Sequence, residues 1–341
     1  MKAAQYNRIS NKVEVNEVPI PVPGEHDLLI KNVCASLCHS DLMLFWGHTA
    51  EKPPMDKVTI GHENTGVVVA VGSKVQGFKI GDKVGCLGCS YACYECEGCR
   101  VHNLFCKKGT GRLHGFTIDG HFAEYSLADA RNSMVLPDGI DLVATAPLFC
   151  AGITAYHAVK QCNLEPGQWI VVIGCGGLGH LAIQYARAMN LRVIAIDISE
   201  PQLQSARTLG AQITYNPLAD PGYAADLISR TEGGAHAAAV FSASNMAYEN
   251  APNVLRINGL MMVVGIPKAN LSINALDILL GKYRIQGVSS GTPQRMREPI
   301  EFSHTHGIKP HLTTLNNLED IHSIIEKMEN GKDAGRFGIV F

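Results

Sequence analysis

Residues 170–179 read Ile170-Val171-Val172-Ile173-Gly174-Cys175-Gly176-Gly177-Leu178-Gly179. Four β-branched residues in succession predict a strand buried on both faces, as the strands of parallel sheets are. The glycines behind it fit G-x-G-x-x-G, and a helix is expected over 178–189. Gly174 permits the tight turn, Gly176 lets the backbone approach a pyrophosphate, and Gly179 allows helix to pack closely on strand. Gly177 and Leu178 complete the turn at a helix N-terminus, whose unpaired N–H groups favour phosphate. The strand Arg192–Ile196 follows and ends at Asp197, where a carboxylate can accept from the adenosine ribose hydroxyls; together these features predict a dinucleotide site. Asp197 also suits a strand-end turn that caps Ser199 and the next helix. A 2′-phosphate beside Asp197 would meet like charge at about 4 kcal/mol at 4 Å and an effective dielectric of 20. Ile198 and Ser199 offer no cation, so NAD is expected over NADP.

Further apolar runs at 237–241, 260–264 and 284–288 alternate with helical stretches, among them 200–209. Such alternation predicts an open parallel sheet with helices on both faces. Upstream, residues 1 to about 148 carry short β-type runs broken by Gly and Pro, such as 28–33 and 66–72, which predict a compact, partly closed β domain. The tail from about 290 holds one amphipathic helix, 318–329, with Ile321, Ile324, Ile325 and Met328 on one stripe.

The 341 residues suit about two domains. Lys and Arg number 29 against 31 Asp and Glu, a balance that excludes a generic binder of nucleic acid or anionic membrane. No secretory-type apolar start and no apolar run near ~20 residues is present, so a soluble, cytoplasmic protein is expected. Six of the eleven cysteines crowd into residues 86–106, which reads as thiolate metal binding in a reducing compartment.

Cys93-x-x-Cys96-x-x-Cys99 followed by Cys106 supplies four thiols for a closed tetrahedral zinc shell, the kind that ties a loop and leaves no vacancy for chemistry. Cys86 and Cys89 are either an alternative ligand pair or small buried apolar residues, the second reading being preferred. Three other candidates are scattered: Cys38 in Cys38-His39-Ser40-Asp41, His62 in Gly61-His62-Glu63, and Cys150 after Leu148-Phe149. Spacing alone does not assemble them, and each taken singly reads as a core cysteine or a satisfied histidine.

As a set, these residues resemble the zinc-dependent alcohol dehydrogenases of the medium-chain dehydrogenase/reductase superfamily, in particular the yeast and bacterial type. The resemblance runs along essentially the whole chain: Gly61-His62-Glu63 with Gly66-Val67-Val68, the cysteine lobe, Cys150 to Thr154, the glycine turn and Gly335-Arg336. It implies an α/β protein with a GroES-like, partly closed β catalytic domain at 1–150 and 290–341. A Rossmann doubly wound parallel sheet at 151–289 would bind NAD. It further implies two zinc ions per chain, a catalytic one on Cys38, His62 and Cys150 and a structural one on Cys93, Cys96, Cys99 and Cys106. Glu63 takes the place of a carboxylate behind the zinc, Asp41 that of the partner orienting the ligand histidine, and Ser40 that of the hydroxyl that bonds the alcohol and begins a proton relay. His39, Thr154, Arg336 and the glycine turn match cofactor contacts. The implied reaction is hydride transfer between a primary or secondary alcohol, or its aldehyde or ketone, and NAD(H), in a homotetramer.

The chain departs from the family in three places. Six residues separate Cys99 from Cys106 where the family usually has seven. Eight residues after Cys38, where small-alcohol members often carry a histidine, stands Trp46; His48 is a candidate relay in its place, beside the alternatives of water and of a plain loop histidine. Gly88 holds a position where ethanol-type members carry a large aromatic, which predicts preference for substrates bulkier than ethanol. Competing functions are an NADP-preferring aryl-aldehyde or other carbonyl reductase of the same superfamily, which Asp197 disfavours, and a non-catalytic zinc- or nucleotide-binding protein, which would not need an open site beside Ser40.

Overall fold

The run at 170–173 forms the strand Trp169–Ile173, buried along its whole length. The computed structural model describes residues 1–46, 55–288, 291–330 and 335–341. Two compact units make up the chain, Thr154–Val288 as one and Met1–Ile153 with Ser289–Phe341 as the other.

In the first of these, Trp169–Ile173 lies inside a six-stranded, all-parallel sheet among the described residues. The order is Ile213–Tyr215, Arg192–Ile196, Trp169–Ile173, Ala235–Val240, Leu255–Val263, Tyr283–Gly287, or 3-2-1-4-5-6 in sequence. Reversal of direction on either side of the first strand is the switch point at which open α/β sheets bind ligands. The helix Gly179–Ala188 packs on the first two strands, and Tyr223, Leu227, Tyr248 and Val254 cover Val171, Ile194 and Val240 from helical segments further on. Strand Leu255–Val263 starts five residues before the apolar run that reveals it, because its first half carries a left-handed Asn258 and the pairing shifts register near Ala235. Ile213–Tyr215, only three residues long, has too little pattern to stand out in the sequence.

The second unit is organised by Asp27–Leu37, longer than the run at 28–33 suggests. It pairs antiparallel with Glu63–Val71, Tyr125–Asp129 and Arg336–Val340. Its last residues, Cys34-Ala35-Ser36-Leu37, carry no alternation, yet all are buried, the first three between the strands Glu63–Val71 and Arg336–Val340. Helix Ile321–Asn330, preceded by a 3-10 turn at Leu318–Asp320, sends Ile321 and Ile324 into a core with Leu37, Ile60, Phe116 and Phe122. Among the described residues no single helix is long and apolar enough to cross a membrane.

Candidate metal centres and nucleotide turn

Cys38 closes the strand Asp27–Leu37 and opens a single 3-10 turn, His39–Leu42. That turn is fixed by Asp41, which is fully buried: its Oδ2 accepts the Cys38 N–H at 2.8 Å, and its Oδ1 lies 2.7 Å from Nδ1 of His62. One carboxylate thus sets the backbone of one candidate ligand and the ring of another, leaving His62 Nε2 as the donor atom still to be used. His62 enters through Gly61 at φ 94, where a Cβ would come 2.4 Å from Phe122. Cys150 sits between the 3-10 turn Ala146–Phe149 and the helix Ala151–Lys160.

The donor atoms of Cys38, His62, Glu63 and Cys150 all lie within 4.8 Å of one another, although the first three and the last are far apart in sequence. The Cys150 thiol beside Cys38 holds the latter well below the ordinary thiol range, and Cys150 itself is pushed up. Burial opposes charge on His62, but Asp41 overrides it and holds the imidazole above its usual range. Glu63 is enclosed by two partners: the Ser36 hydroxyl donates to its Oε2 at 2.5 Å, and the buried Arg336 guanidinium pairs with its Oε1. Burial pushes the Glu63 carboxyl up to about 8 against the pull of Arg336. Arg336, matched by resemblance to a cofactor contact, therefore reaches into the cluster, and its Nε is buried without a hydrogen-bond partner among the described residues. Ser36 is a polar residue in a buried strand that carries no motif; its register opposite Glu63 brings it into the site.

The cysteine lobe closes despite its shortened gap. Cys93, Cys96, Cys99 and Cys106 form a second four-donor group, with Sγ–Sγ separations of 3.8 Å for Cys93–Cys99 and 3.5 Å for Cys96–Cys99. A tetrahedral ion with bonds of about 2.3 Å to sulfur requires about 3.8 Å between ligands, so these separations suit a zinc shell. The residues between Cys99 and Cys106 include a 3-10 turn, Asn103–Phe105, which shortens the path. The Thr110 hydroxyl beside Cys106 holds its thiol down to about 5, and the Lys107 N–H holds Cys96 down to about 7. Cys86 and Cys89 stand outside this group; Cys86 donates to Asn64 Oδ1 at 2.9 Å, and burial pushes Cys89 up to about 12. All eleven cysteines are free thiols.

Ser40 lies beside Cys38, its Oγ 3.7 Å from Sγ, and His39 is exposed with its ring edge-on to Trp46 at 5.1 Å. His48 lies outside the described residues. Gly88 packs directly on His62: a Cβ there would come 2.8 Å from His62 Cβ. Close packing against a candidate ligand is a second reason for the glycine, beside the vacated aromatic position.

The glycine turn assigns each glycine a different reason. Gly174 has φ 88, and a Cβ on it would meet Ser242 N at 2.8 Å; one on Gly179 would come 1.9 Å from Gly174 O; one on Gly176 would meet nothing within 4 Å. The middle glycine thus opens onto free space, as a backbone approached by pyrophosphate must, and the helix Gly179–Ala188 has no side-chain cap at Leu178. Asp197 accepts from Cys175 N at 2.7 Å through Oδ2 and from Ser199 N at 2.9 Å through Oδ1. Its carboxylate therefore ties the turn to the strand end and opens the next helix at Ser199. Thr154 is half-buried in the first turn of Ala151–Lys160.

A paired metal-donor set in one unit and a glycine turn at the switch point of the other define a class, the zinc-binding dehydrogenases. Comparison with known proteins agrees. Residues 24–138 match the alcohol dehydrogenase GroES-like domain and residues 177–305 the zinc-binding dehydrogenase model. An alcohol dehydrogenase of Geobacillus stearothermophilus is 37% identical over 337 residues, covering 98% of each chain. The crystal structure of an alcohol dehydrogenase from Aeropyrum pernix superposes with TM-score 0.89 at 28% identity over 100% of both chains. Acetophenone reductase from Geotrichum candidum, solved in complex with NAD, gives TM-score 0.86 at 28% identity over 100% of this chain and 97% of its own. The chain belongs to the zinc-dependent alcohol dehydrogenases of the medium-chain dehydrogenase/reductase superfamily.

Proposed function

We propose that the protein interconverts an alcohol and its aldehyde or ketone with NAD(H). The observation that carries this reading is the convergence of Cys38, His62 and Cys150 with Glu63 within 4.8 Å, ordered by a buried Asp41. Cys38, His62 and Cys150 would hold the catalytic zinc and the four lobe cysteines a structural one. Zinc supplies Lewis acidity toward an alcohol or carbonyl oxygen, and the nicotinamide supplies the hydride acceptor or donor.

The chain's own residues do the rest. Two thiolates and a neutral imidazole balance the dication's charge, and Asp41 keeps His62 in the tautomer whose Nε2 can ligate. Ser40, next to Cys38, presents a hydroxyl that can take the substrate proton and pass it toward solvent. Ser36 and Arg336 hold Glu63 so that its carboxylate remains behind the donor set. On the other unit the glycine turn would seat the pyrophosphate, and Asp197 would accept from the ribose hydroxyls and disfavour a 2′-phosphate, supporting NAD over NADP. A homotetramer in the cytoplasm fits the family resemblance. Because Gly88 also has a packing reason, the proposal names alcohols without a stated size.

The test is reduction of NAD⁺ followed at the NADH absorbance, over a panel from ethanol to benzyl alcohol and secondary alcohols, with the carbonyls run in reverse. Turnover that is lost on chelation and in Cys150→Ser is expected. Full zinc content with no turnover on any substrate and either cofactor would establish the non-catalytic alternative.

A further inference from the structure

Cys93, the first thiol of the lobe, lies between two tyrosines, Tyr91 and Tyr94, and both have left-handed backbones, with φ 59 and 62. Bulky aromatic residues avoid that region because the Cβ crowds the carbonyl, so two within four positions require something outside the loop to hold them. Buried Asp129 does this at the end of the strand Tyr125–Asp129. Its Oδ2 accepts the Tyr91 N–H at 3.1 Å and the Tyr94 hydroxyl at 2.6 Å. Arg131 forks onto both oxygens of the same carboxylate at 2.8 Å, and its guanidinium lies over the Tyr94 ring at 4.7 Å. Asp129 thus grips the turn that presents Cys93 at two points, the Tyr91 backbone and the Tyr94 hydroxyl.

We propose that Asp129, through the Tyr91 backbone and the Tyr94 hydroxyl, is a positioning residue that presets the lobe's first thiol for metal capture. The clamp imposes the strained turn from the sheet and sets the Cys93 thiol 3.8 Å from that of Cys99. This rests on the reading of the lobe as a metal site.

The variants are Tyr94→Phe, which removes one hydroxyl and keeps the ring under Arg131, and Asp129→Asn. Zinc per chain is measured on the purified protein, and lobe affinity by competition with a chromogenic chelator. Cd²⁺ reconstitution, followed by its thiolate charge-transfer absorption, reports how many sulfurs bind. Both variants are expected to lose lobe affinity on the order of tenfold, the scale of lost outer-shell partners, while the catalytic ion and the metal-free protein's melting temperature stay at parental values in Tyr94→Phe. Lobe affinity within twofold of parent in Tyr94→Phe would overturn the clamp, as would a fall in affinity matched by an equal loss of stability in the metal-free protein. Should Asp129→Asn not fold, Tyr94→Phe alone decides. Failure of the underlying reading is separate and visible in the parent, as one zinc per chain with no Cd²⁺–thiolate absorption from the lobe.

Discussion

Two alanine substitutions three residues apart should act in opposite directions. At Gly179 a new Cβ would lie 1.9 Å from Gly174 O and 2.8 Å from its carbonyl carbon. Both are backbone atoms of the turn, so no rotamer relieves the overlap and the helix must lift from the strand. Overpacking of this kind costs about 1–3 kcal/mol, and contact with rigid backbone points to the upper part of that range. Subtracting the about 0.4–1 kcal/mol that Gly→Ala returns by restricting the unfolded chain leaves a net loss near ~2 kcal/mol. The melting temperature should fall by roughly 4–8 °C. At Gly176 the same methyl meets nothing within 4 Å, and φ lies outside the left-handed region, so the fold should keep the whole ~0.4–1 kcal/mol gain. The methyl would instead stand where the pyrophosphate approaches. Loss of one backbone hydrogen bond to a charged group, at about 1.5–3 kcal/mol, weakens NADH binding by about 10- to 150-fold. Calorimetry of unfolding and NADH titration by fluorescence measure the two effects on the same samples. If Gly176→Ala bound NADH as tightly as the parent, or if both variants lost stability alike, the division of labour among the glycines would be refuted.

Other outcomes follow from the same geometry. Asp41→Asn removes charge from a carboxylate that serves both Cys38 and His62, and zinc affinity at that centre should fall about 10- to 100-fold while the lobe retains its ion, read by zinc content after graded dialysis against chelator. Asp197→Ser should raise kcat/KM with NADP relative to NAD by at least about tenfold, since like charge at ~4 Å is removed; an unchanged ratio would deny Asp197 its discriminating role. Gly88→Ala, which would drive a methyl to 2.8 Å from His62 Cβ, should lower activity on ethanol and benzyl alcohol alike; a selective gain on the smaller alcohol would favour the size argument.

The sequence showed the nucleotide unit well because its signals are local. A β-branched run, three glycines at fixed offsets and an acid at the next strand end each constrain neighbouring backbone, and each lands where its residue type requires. The four lobe cysteines were legible for the same reason, being within fourteen positions of one another. Cys38, His62 and Cys150 were not, because tertiary structure joins them: Ser36 opposite Glu63 places Cys38 and His62 at the same end of the sheet, and Cys150 comes to them from the start of the helix Ala151–Lys160. Resemblance supplied that grouping; spacing did not. Ser36 and the inward pairing of Arg336 escaped altogether, since a serine in a buried strand and an arginine near the C-terminus have no periodic signature.

The strand Arg336–Val340 is laid against Cys34–Leu37, and Arg336 pairs with Glu63. Some three hundred residues separate these partners along the chain. A polypeptide emerging from the ribosome can complete the glycine-turn unit from one uninterrupted segment, but the sheet beside the donor cluster stays open along one edge until residues 336–340 have been made. A chain halted before Arg336 would therefore keep an intact glycine-turn unit yet lack the guanidinium that pairs with buried Glu63.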